Sequence, residues 1–503
     1  MFSTISRKFQ KFYKPYVVAI LSTGYIIGEL GHCLIGVTAK ATATDLHYGD
    51  ISCQFNSTVL RVNELPVECD TAKSIEICES LQLNGTRYCE WTYDGKGLEY
   101  QILAAPGFIT VYTAACVIFG FAADRFNRVR LLAVTTAMFS VAVILQGLAS
   151  QYWHLLIFRM LYAVGEAGCT PFSTGLLSDL FTQSKRGLVM SIFNWGVYGG
   201  YGISFPFGRH IAALDIWGLG WRVCYYVSGV TGLLVALLIG LTLDEPERKD
   251  FADEGSKNAK EESIWRVICQ PPVILLMIAA GVRHTAGMCF TYNSDLYYRQ
   301  YFPDYDLSWW LFTVTIVSGS FGVVLGGYVS DRFVAKMGVR SRVAFLFLSQ
   351  ALAAPGAFGS LYFSPVGAII SLGISYFFAE MWLGIVFAVV IEIVPLSMRS
   401  TITGIFLFFM NTIGGDLPIL VEPVSKAIGY RESLYIFYVG SYIMSSTMFL
   451  IITFLMDGPR RESEVESSVM SGKNHENTDM MMAHMGSQEL RSNSDFEFEH
   501  SEL

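Results

Sequence analysis

Charge is scarce in this chain. Only 16% of its 503 residues are Asp, Glu, Lys or Arg, against about 25% in soluble domains. That deficit excludes an ordinary soluble globule. No Gly-x-x-x-x-Gly-Lys-Ser/Thr loop occurs, so an ATP-driven pump of that type is excluded. No metal-ligand spacing and no nucleophile triad stands out, so no metal, no cofactor and no enzymatic activity is expected. No cleavable leader is expected either. Arg7, Lys8, Lys11 and Lys14 precede the first apolar run, but that run is too long for a signal-peptide core and ends without a cleavage site. The net charge of −8 lies mostly in loops and tails, and no nucleic-acid partner is expected.

What the chain has is apolar length. Hydrophobic residues make up 52% of it and its mean hydropathy is +0.42. Runs of about 20 apolar residues are long enough to cross a bilayer, and the sequence offers twelve. They cover 16–38, 102–122, 130–149, 153–178, 188–213, 220–243, 271–293, 308–330, 342–362, 365–391, 400–425 and 433–456. Lys and Arg gather in every second connection, which places those connections and both termini in the cytosol. The expected fold is an all-α membrane protein of two pseudo-symmetric six-helix bundles. A cytosolic segment 1–15 precedes the first bundle, 16–243, which includes an extracytosolic loop 39–100. A cytosolic linker 244–266, the second bundle 267–456 and a disordered cytosolic tail 457–503 follow.

The two bundles echo each other. Gly120-Phe-Ala-Ala-Asp124-Arg125 returns as Gly327-Tyr-Val-Ser-Asp331-Arg332, with the aspartates 207 residues apart. Asp179 and Arg186 return as Glu392 and Arg399, with the acids 213 residues apart. A duplication of about 210 residues follows, and such repeats set architecture. Asp124 and Asp331 end helices, where carboxylates can accept hydrogen bonds from a neighbouring helix N-terminus. With Gly120, Arg125, Arg128 and Arg332 they form a candidate conformational latch on the cytosolic side. The arginines also enforce orientation, whether or not they latch.

Loop 39–100 holds Cys53, Cys69, Cys78 and Cys89 and the glycosylation sequons at Asn56 and Asn84. Outside the cytosol disulfides persist, and four cysteines allow three pairings that sequence cannot separate. The segment reads as a stapled cap over the outer mouth, or as a glycosylated loop with only a protective role. The other six cysteines read as reduced packing residues. The fifth run is rich in glycine, and Gly196-x-x-x-Gly200 permits close helix approach.

Depth picks out the chemistry. Counted along the runs, Glu29, Glu166, Arg283 and Glu380 fall near the bilayer midplane. A charge there costs at least about 2.5 kcal/mol on insertion scales. Two such groups from each half at one level mark a binding site between repeats. Arg159 lies seven residues before Glu166 on the same helical face; the plainer alternative is that the two simply pair. Burial favours the neutral form of a carboxylate, so Glu29, Glu166 or Glu380 is placed to carry a coupling proton, with His32 and His284 as relays. Asn194, Asn411 and Asp416 complete the candidate lining. Partners are then a small-molecule or lysolipid substrate, protons and the bilayer, with the protein a monomer.

The Gly-x-x-x-Asp-Arg turns after the second and eighth runs, the twelve spans and the central linker resemble the major facilitator superfamily. Within it the chain resembles the spinster-like transporters, through Gly120-Phe-Ala-Ala-Asp124-Arg125-Phe-Asn127-Arg128, Arg159-Met-Leu-Tyr-Ala-Val-Gly165-Glu166-Ala167, Asp179-Leu-Phe and Gly415-Asp416-x-Pro418. The resemblance implies proton-linked or facilitated movement of lysophospholipids or sphingoid lipids across the plasma or endolysosomal membrane, with Arg159 and Glu166 in the central site. Two features depart from that group. The cysteine-bearing first loop is atypical, and Gly28-Glu29-Leu-Gly-His32 stands where an aspartate–arginine pair is expected. A small organic anion as substrate, or a transport-inactive receptor on the same fold, are the alternatives.

Overall fold

The computed structural model describes residues 2–55, 69, 72–83, 85–181, 183–246, 264–303, 305–394 and 399–456. Asn56 and Asn84, most of the linker and the tail from 457 on lie outside the described residues, as do the side chains of Asp124 and Asp331.

Helices dominate because the apolar runs are long and the backbone groups in them have no water to bond. The amino-terminal group comprises α1 (Phe2–Val37), α4 (Leu98–Ala104), α5 (Pro106–Arg125), α6 (Arg128–Gly147), α7 (Tyr152–Ala167), α8 (Cys169–Leu180), α9 (Gln183–Pro206) and α10 (Arg222–Thr242). The carboxy-terminal group comprises α12 (Pro271–Tyr301), α13 (Ser308–Thr313), α14 (Gly319–Met337), α15 (Arg340–Tyr362), α16 (Pro365–Ala379), α17 (Leu383–Ile393), α18 (Arg399–Asp416), α19 (Val421–Ile428), α20 (Tyr430–Leu434) and α21 (Gly440–Leu455). A short α11 (Ile264–Ile268) precedes α12, so helix begins inside the expected linker.

Among the described residues, ten helical stretches are long and apolar enough to cross a membrane, against twelve expected. The shortfall is the fourth and fifth runs. The fourth is broken after Ala167 into helices of 16 and 12 residues. The fifth, α9, carries five glycines in 24 residues and a polar first turn. Both carry polar or small residues along the packed interior of the amino-terminal group.

Packing follows the small residues. A Cβ on Gly200 of α9 would lie 2.5 Å from the Ile26 carbonyl oxygen of α1, and one on Gly196 would lie 3.1 Å from Tyr25. The Gly-x-x-x-Gly spacing therefore seats α9 directly on α1. Helix α6 packs on α7 and α10, while α12 packs on α18 and α21 and α15 on α16 and α21. The two groups meet along α1–α12, α5–α18 and α9–α13.

The segment between α1 and α4 is a folded cap. It contains α2 (Ala39–Leu46), α3 (Ile75–Ser80) and four short strands, β1 (Ile51–Phe55), β2 (Gln82–Leu83), β3 (Thr86–Arg87) and β4 (Cys89–Tyr93). Strand β1 pairs antiparallel with β4, Ile51 opposite Tyr93 and Phe55 opposite Cys89, and β2 pairs with β3. Disulfides join Cys53 to Cys78 and Cys69 to Cys89. All four cysteines are buried with Tyr88 and Ala72, which gives the cap its own small core. Gly95 (φ +80°) closes the cap onto α2, where a Cβ would meet the Lys40 nitrogen at 2.6 Å. Of the six free cysteines Cys33, Cys169, Cys224 and Cys289 are buried, but Cys269 is exposed. It sits in the turn between α11 and α12, outside any packed helix face.

Candidate functional site

Two polar clusters occupy the middle of the helices, one in each group. In the first, α1 supplies Glu29 and His32, three residues apart and so on one face. Helix α7 supplies Arg159 and Glu166. One ligand-capable atom from each of Glu29, His32 and Glu166 lies within 4.8 Å of the other two. His32 Nδ1 stands 3.7 Å from Glu166 Oε2, and His32 Nε2 stands 3.3 Å from the hydroxyl of Tyr292 on α12. The cluster thus touches the opposite helix group through one tyrosine. Gly28 makes the approach of α7 possible, since a Cβ there would come 3.2 Å from Glu166 Oε1. Tyr162 fastens the same contact by donating to the Gly28 carbonyl.

Arg159 does not pair with Glu166; among the described residues no ion pair joins them. The guanidinium is fully buried and donates to the carbonyls of Leu103 (3.3 Å), Gly31 (3.5 Å) and His32 (3.0 Å). It also lies 4.7 Å over the ring of Phe108. Seven residues along a helix are two turns, roughly 10 Å, and Arg159 spends its donors on the nearer carbonyls. Glu166 is left with both carboxylate oxygens buried and without a hydrogen bond.

In the second cluster Arg283 of α12 is 1% exposed. It donates to Gln350 Oε1 at 2.5 Å and to the Ala379 carbonyl at 2.8 Å, and pairs with Glu380 at 3.5 Å. The rings of Trp382 and Tyr442 flank it at 4.6 and 4.9 Å. Tyr198 of α9 reaches across to donate to Glu380 at 2.9 Å. The four charges expected at the midplane therefore form two separate clusters, one in each helix group, not one mixed cluster. Tyrosines link each cluster to the opposite helix group: Tyr292 meets His32, and Tyr198 meets Glu380.

The remaining candidates scatter. His284 is half-buried against Gly414, where no Cβ would fit, and has Trp382 at 6.2 Å between ring centres. Asn194 is exposed and Asn411 half-buried. Asp416, at the end of α18, accepts from Thr110 of α5 at 3.2 Å.

At the end opposite the cap, Arg128 is buried and pairs with Asp179 at 2.7 Å and Glu245 at 2.8 Å. Glu245 also accepts from the backbone of Val129 at 3.0 Å, so the first linker residues are docked to α6. Asn127 caps α6 by accepting from Arg130 at 2.8 Å. The equivalent pair in the second group is Arg342 with Glu392 at 3.1 Å. Arg128 and Arg342 are 214 residues apart, Asp179 and Glu392 213, so the duplication is visible as a repeated contact. Sequence reasoning had Arg128 reaching acids at nearby helix ends, but not which acids it or Arg342 would meet. Arg125 and Arg332 are exposed; Arg332 lies over Tyr328 at 4.9 Å. Space beside Gly120 is open, with nothing within 4 Å of a Cβ there.

Among the described residues, the ion pairs that fasten the two groups to each other gather at the cap end. At the cap end, Lys426 pairs with Asp50 at 2.9 Å, Arg209 with Asp306 at 3.4 Å, and Arg299 donates to the Val37 carbonyl at 3.2 Å. Gln101 donates to Asn293 at 3.1 Å, Tyr100 donates to the Tyr292 carbonyl, and Lys96 lies 4.6 Å over Tyr430. At the other end, the ion pairs among the described residues all close within one group.

The sequence model described as Major Facilitator Superfamily matches residues 41–415. Protein spinster of Drosophila melanogaster is 25% identical over 343 residues, covering 64% of this chain and 55% of that protein. The chain thus spans about half the length of that relative. The sphingosine-1-phosphate transporter SPNS2 of Danio rerio is 31% identical over 160 residues, 31% of each chain. Among solved structures, a bacterial homolog to the human lysosomal transporter spinster, in an inward-facing and unoccupied conformation, superposes with a TM-score of 0.67. Its identity is 18%, and the match covers 88% of this chain and 97% of that one.

Proposed function

Because the chain belongs to the Major Facilitator Superfamily, we propose that it is a secondary carrier that moves a lysophospholipid or sphingoid-type amphiphile by alternating access, coupled to protons. In this reading α7–α8 and α9 complete twelve spans in two six-helix bundles, both termini face the cytosol, and the protein works as a monomer in the plasma or endolysosomal membrane.

The placement of the ion pairs carries the proposal. Ion pairs and hydrogen bonds join the two groups at the cap end, while at the other end the ion pairs among the described residues, Arg128 with Asp179 and Arg342 with Glu392, each lie within one group. Such an arrangement is one of the two states that a rocking carrier needs, closed outside and open to the cytosol. Opening outward exchanges the cap-end bonds for new ones at the basic end, where Asp124, Arg125, Asp331 and Arg332 serve as the latch.

The arginines favour an amphiphile over a small organic anion. Arg159 is engaged by three carbonyls, and Arg283 by Glu380, Gln350 and a carbonyl. Each guanidinium commits at least two of its three nitrogens within its own helix group, which works against bidentate capture of a carboxylate. The name of the Danio rerio relative supports the same substrate class. A receptor without transport has no use for unpaired acid at this depth, such as Glu166.

The test is uptake into proteoliposomes of a fluorescent lysolipid and of a panel of organic anions, with and without a pH gradient. Lysolipid flux that a pH gradient accelerates, and that Glu166→Gln uncouples from the gradient, is the expected result. Flux confined to the organic anions sinks the substrate class, and absence of any flux sinks the carrier reading.

A further inference from the structure

Glu166 poses a question that proton coupling does not answer. It is 2% exposed, and neither of its oxygens accepts a hydrogen bond. A buried polar group left in that state calls for an explanation such as an ion. The cation on its own helix, Arg159, is turned to backbone carbonyls instead. What Glu166 faces is Glu29 and His32, with one donor atom of each within 4.8 Å of the others.

The geometry is close to a coordination shell. Bonds of about 2.0 Å in a tetrahedron set donor atoms roughly 3.3 Å apart, so small side-chain rotations would close this cluster around an ion. His32 is set up for it. Its Nδ1 lies 3.7 Å from Glu166, too far for a hydrogen bond. Its Nε2 is held at 3.3 Å by the Tyr292 hydroxyl. A metal-bound imidazole is commonly oriented by a partner on its other nitrogen, and Tyr292 occupies that place. The half-buried Glu29 leaves an approach open, while His32 and Glu166 lie deeper.

We propose that Glu29, His32 and Glu166 bind a divalent transition-metal ion of the zinc or manganese class. Two carboxylates neutralise the dication, and one imidazole selects against calcium and magnesium, which take oxygen ligands. The Arg159 guanidinium, held against the carbonyls of Gly31 and His32, keeps a positive charge beside the ion and weakens its binding. An ion held this way exchanges instead of staying as structural metal. The spacing was invisible in the sequence because Glu29 and His32 are three residues apart while Glu166 lies on a helix more than a hundred residues later. The proposal builds on the reading of this cluster as the carrier's ion-coupling site, but needs neither proton coupling nor lysolipid transport to hold.

The test is metal binding by the detergent-purified full chain, stripped with chelator and titrated with Zn²⁺ and, separately, Co²⁺. The expected result is one ion per chain and a Co²⁺ visible spectrum of mixed nitrogen and oxygen ligands. Affinity should fall by at least about tenfold in Glu166→Gln and His32→Gln, and by about tenfold in Tyr292→Phe, which leaves all three ligands in place. Monodispersity and melting temperature of each variant separate lost binding from lost fold. No stoichiometric binding overturns the proposal. So does binding unchanged in both ligand variants, or an intense thiolate-to-cobalt band. Lysolipid flux measured on the same preparations judges the carrier reading separately: flux without a metal site leaves that reading intact, and a metal site without flux leaves this one intact.

Discussion

Arg128 shows how a residue read as a topology signal can be a structural keystone. Its side chain is 8% exposed and pairs with Asp179 and Glu245, themselves 10% and 20% exposed. Removing one member of a buried ion network leaves the others uncompensated, which costs about 3–5 kcal/mol. Arg128→Gln is therefore expected to lower the melting temperature of the purified protein markedly. Arg125→Gln, at an exposed site, should leave it within about 0.5 kcal/mol of the parent. Equal losses in the two variants would contradict the assignment. Gly200 makes a similar case for space. With a Cβ 2.5 Å from the Ile26 carbonyl, Gly200→Ala must push α9 away from α1. Overpacking of that kind costs about 1–3 kcal/mol. The same shift moves Glu29, whose Cβ is also 2.5 Å from the new atom, so transport should fall more than stability does.

Among the elements, the cap behaves as a small domain held by its staples. Its core is four cysteines with Tyr88 and Ala72, too little apolar surface to fold alone. Cys53 and Cys78 close a loop with a sequence separation of 25, and losing a bridge of that span costs about 3 kcal/mol. Replacing both by serine should abolish amide protection in β1 and β4 while the helices of the amino-terminal group keep theirs, as read by hydrogen exchange. Loss of protection across both would mean that the helices depend on the cap. Gly95→Ala, strained by its positive φ and by contact with Lys40, should loosen the same strands without touching the disulfides. Helix α9 carries the opposite lesson. Its glycines keep it short of an apolar span by composition, yet they are what allow it to lie on α1 and to send Tyr198 across to Glu380.

At the scale of the whole molecule, the fastening between the two groups at the cap end should depend on pH through Asp306. Burial alone would raise its carboxyl. Hydrogen bonds from Ser308 and the charges of Arg209 and His210 outweigh that and hold it below the ordinary carboxylate value of 3.8. A carboxylate held low in the folded state stabilises that state above its unfolded value, and the contribution fades as pH falls through the lowered one. Acidification below the ordinary value should therefore loosen the Arg209–Asp306 contact, and Asp306→Asn should mimic it at neutral pH. Spin-label distances between the helix groups at the cap end are expected to broaden toward longer values in both conditions. Distances that stay put in Asp306→Asn would show that Lys426–Asp50 and the neutral bonds suffice.

The amino-acid order by itself determined that this is a multi-pass helical membrane protein with a duplicated plan. Apolar length and the recurrence of Asp179 as Glu392 are local, and need no contacts to be read. It also marked Glu29, Arg159, Glu166, Arg283 and Glu380 as out of place in lipid. Only the tertiary structure decided their partners. Whether Arg159 turns to Glu166 or to the carbonyls of Gly31 and His32 depends on distances between α1, α4 and α7 that no spacing along one helix contains. The pairing of Cys53 with Cys78, the bridging by Tyr198 and Tyr292, and the meeting of Glu29, His32 and Glu166 were decided in the same way. Each joins residues far apart in the chain, and only close packing of the helices brings such groups within bonding distance.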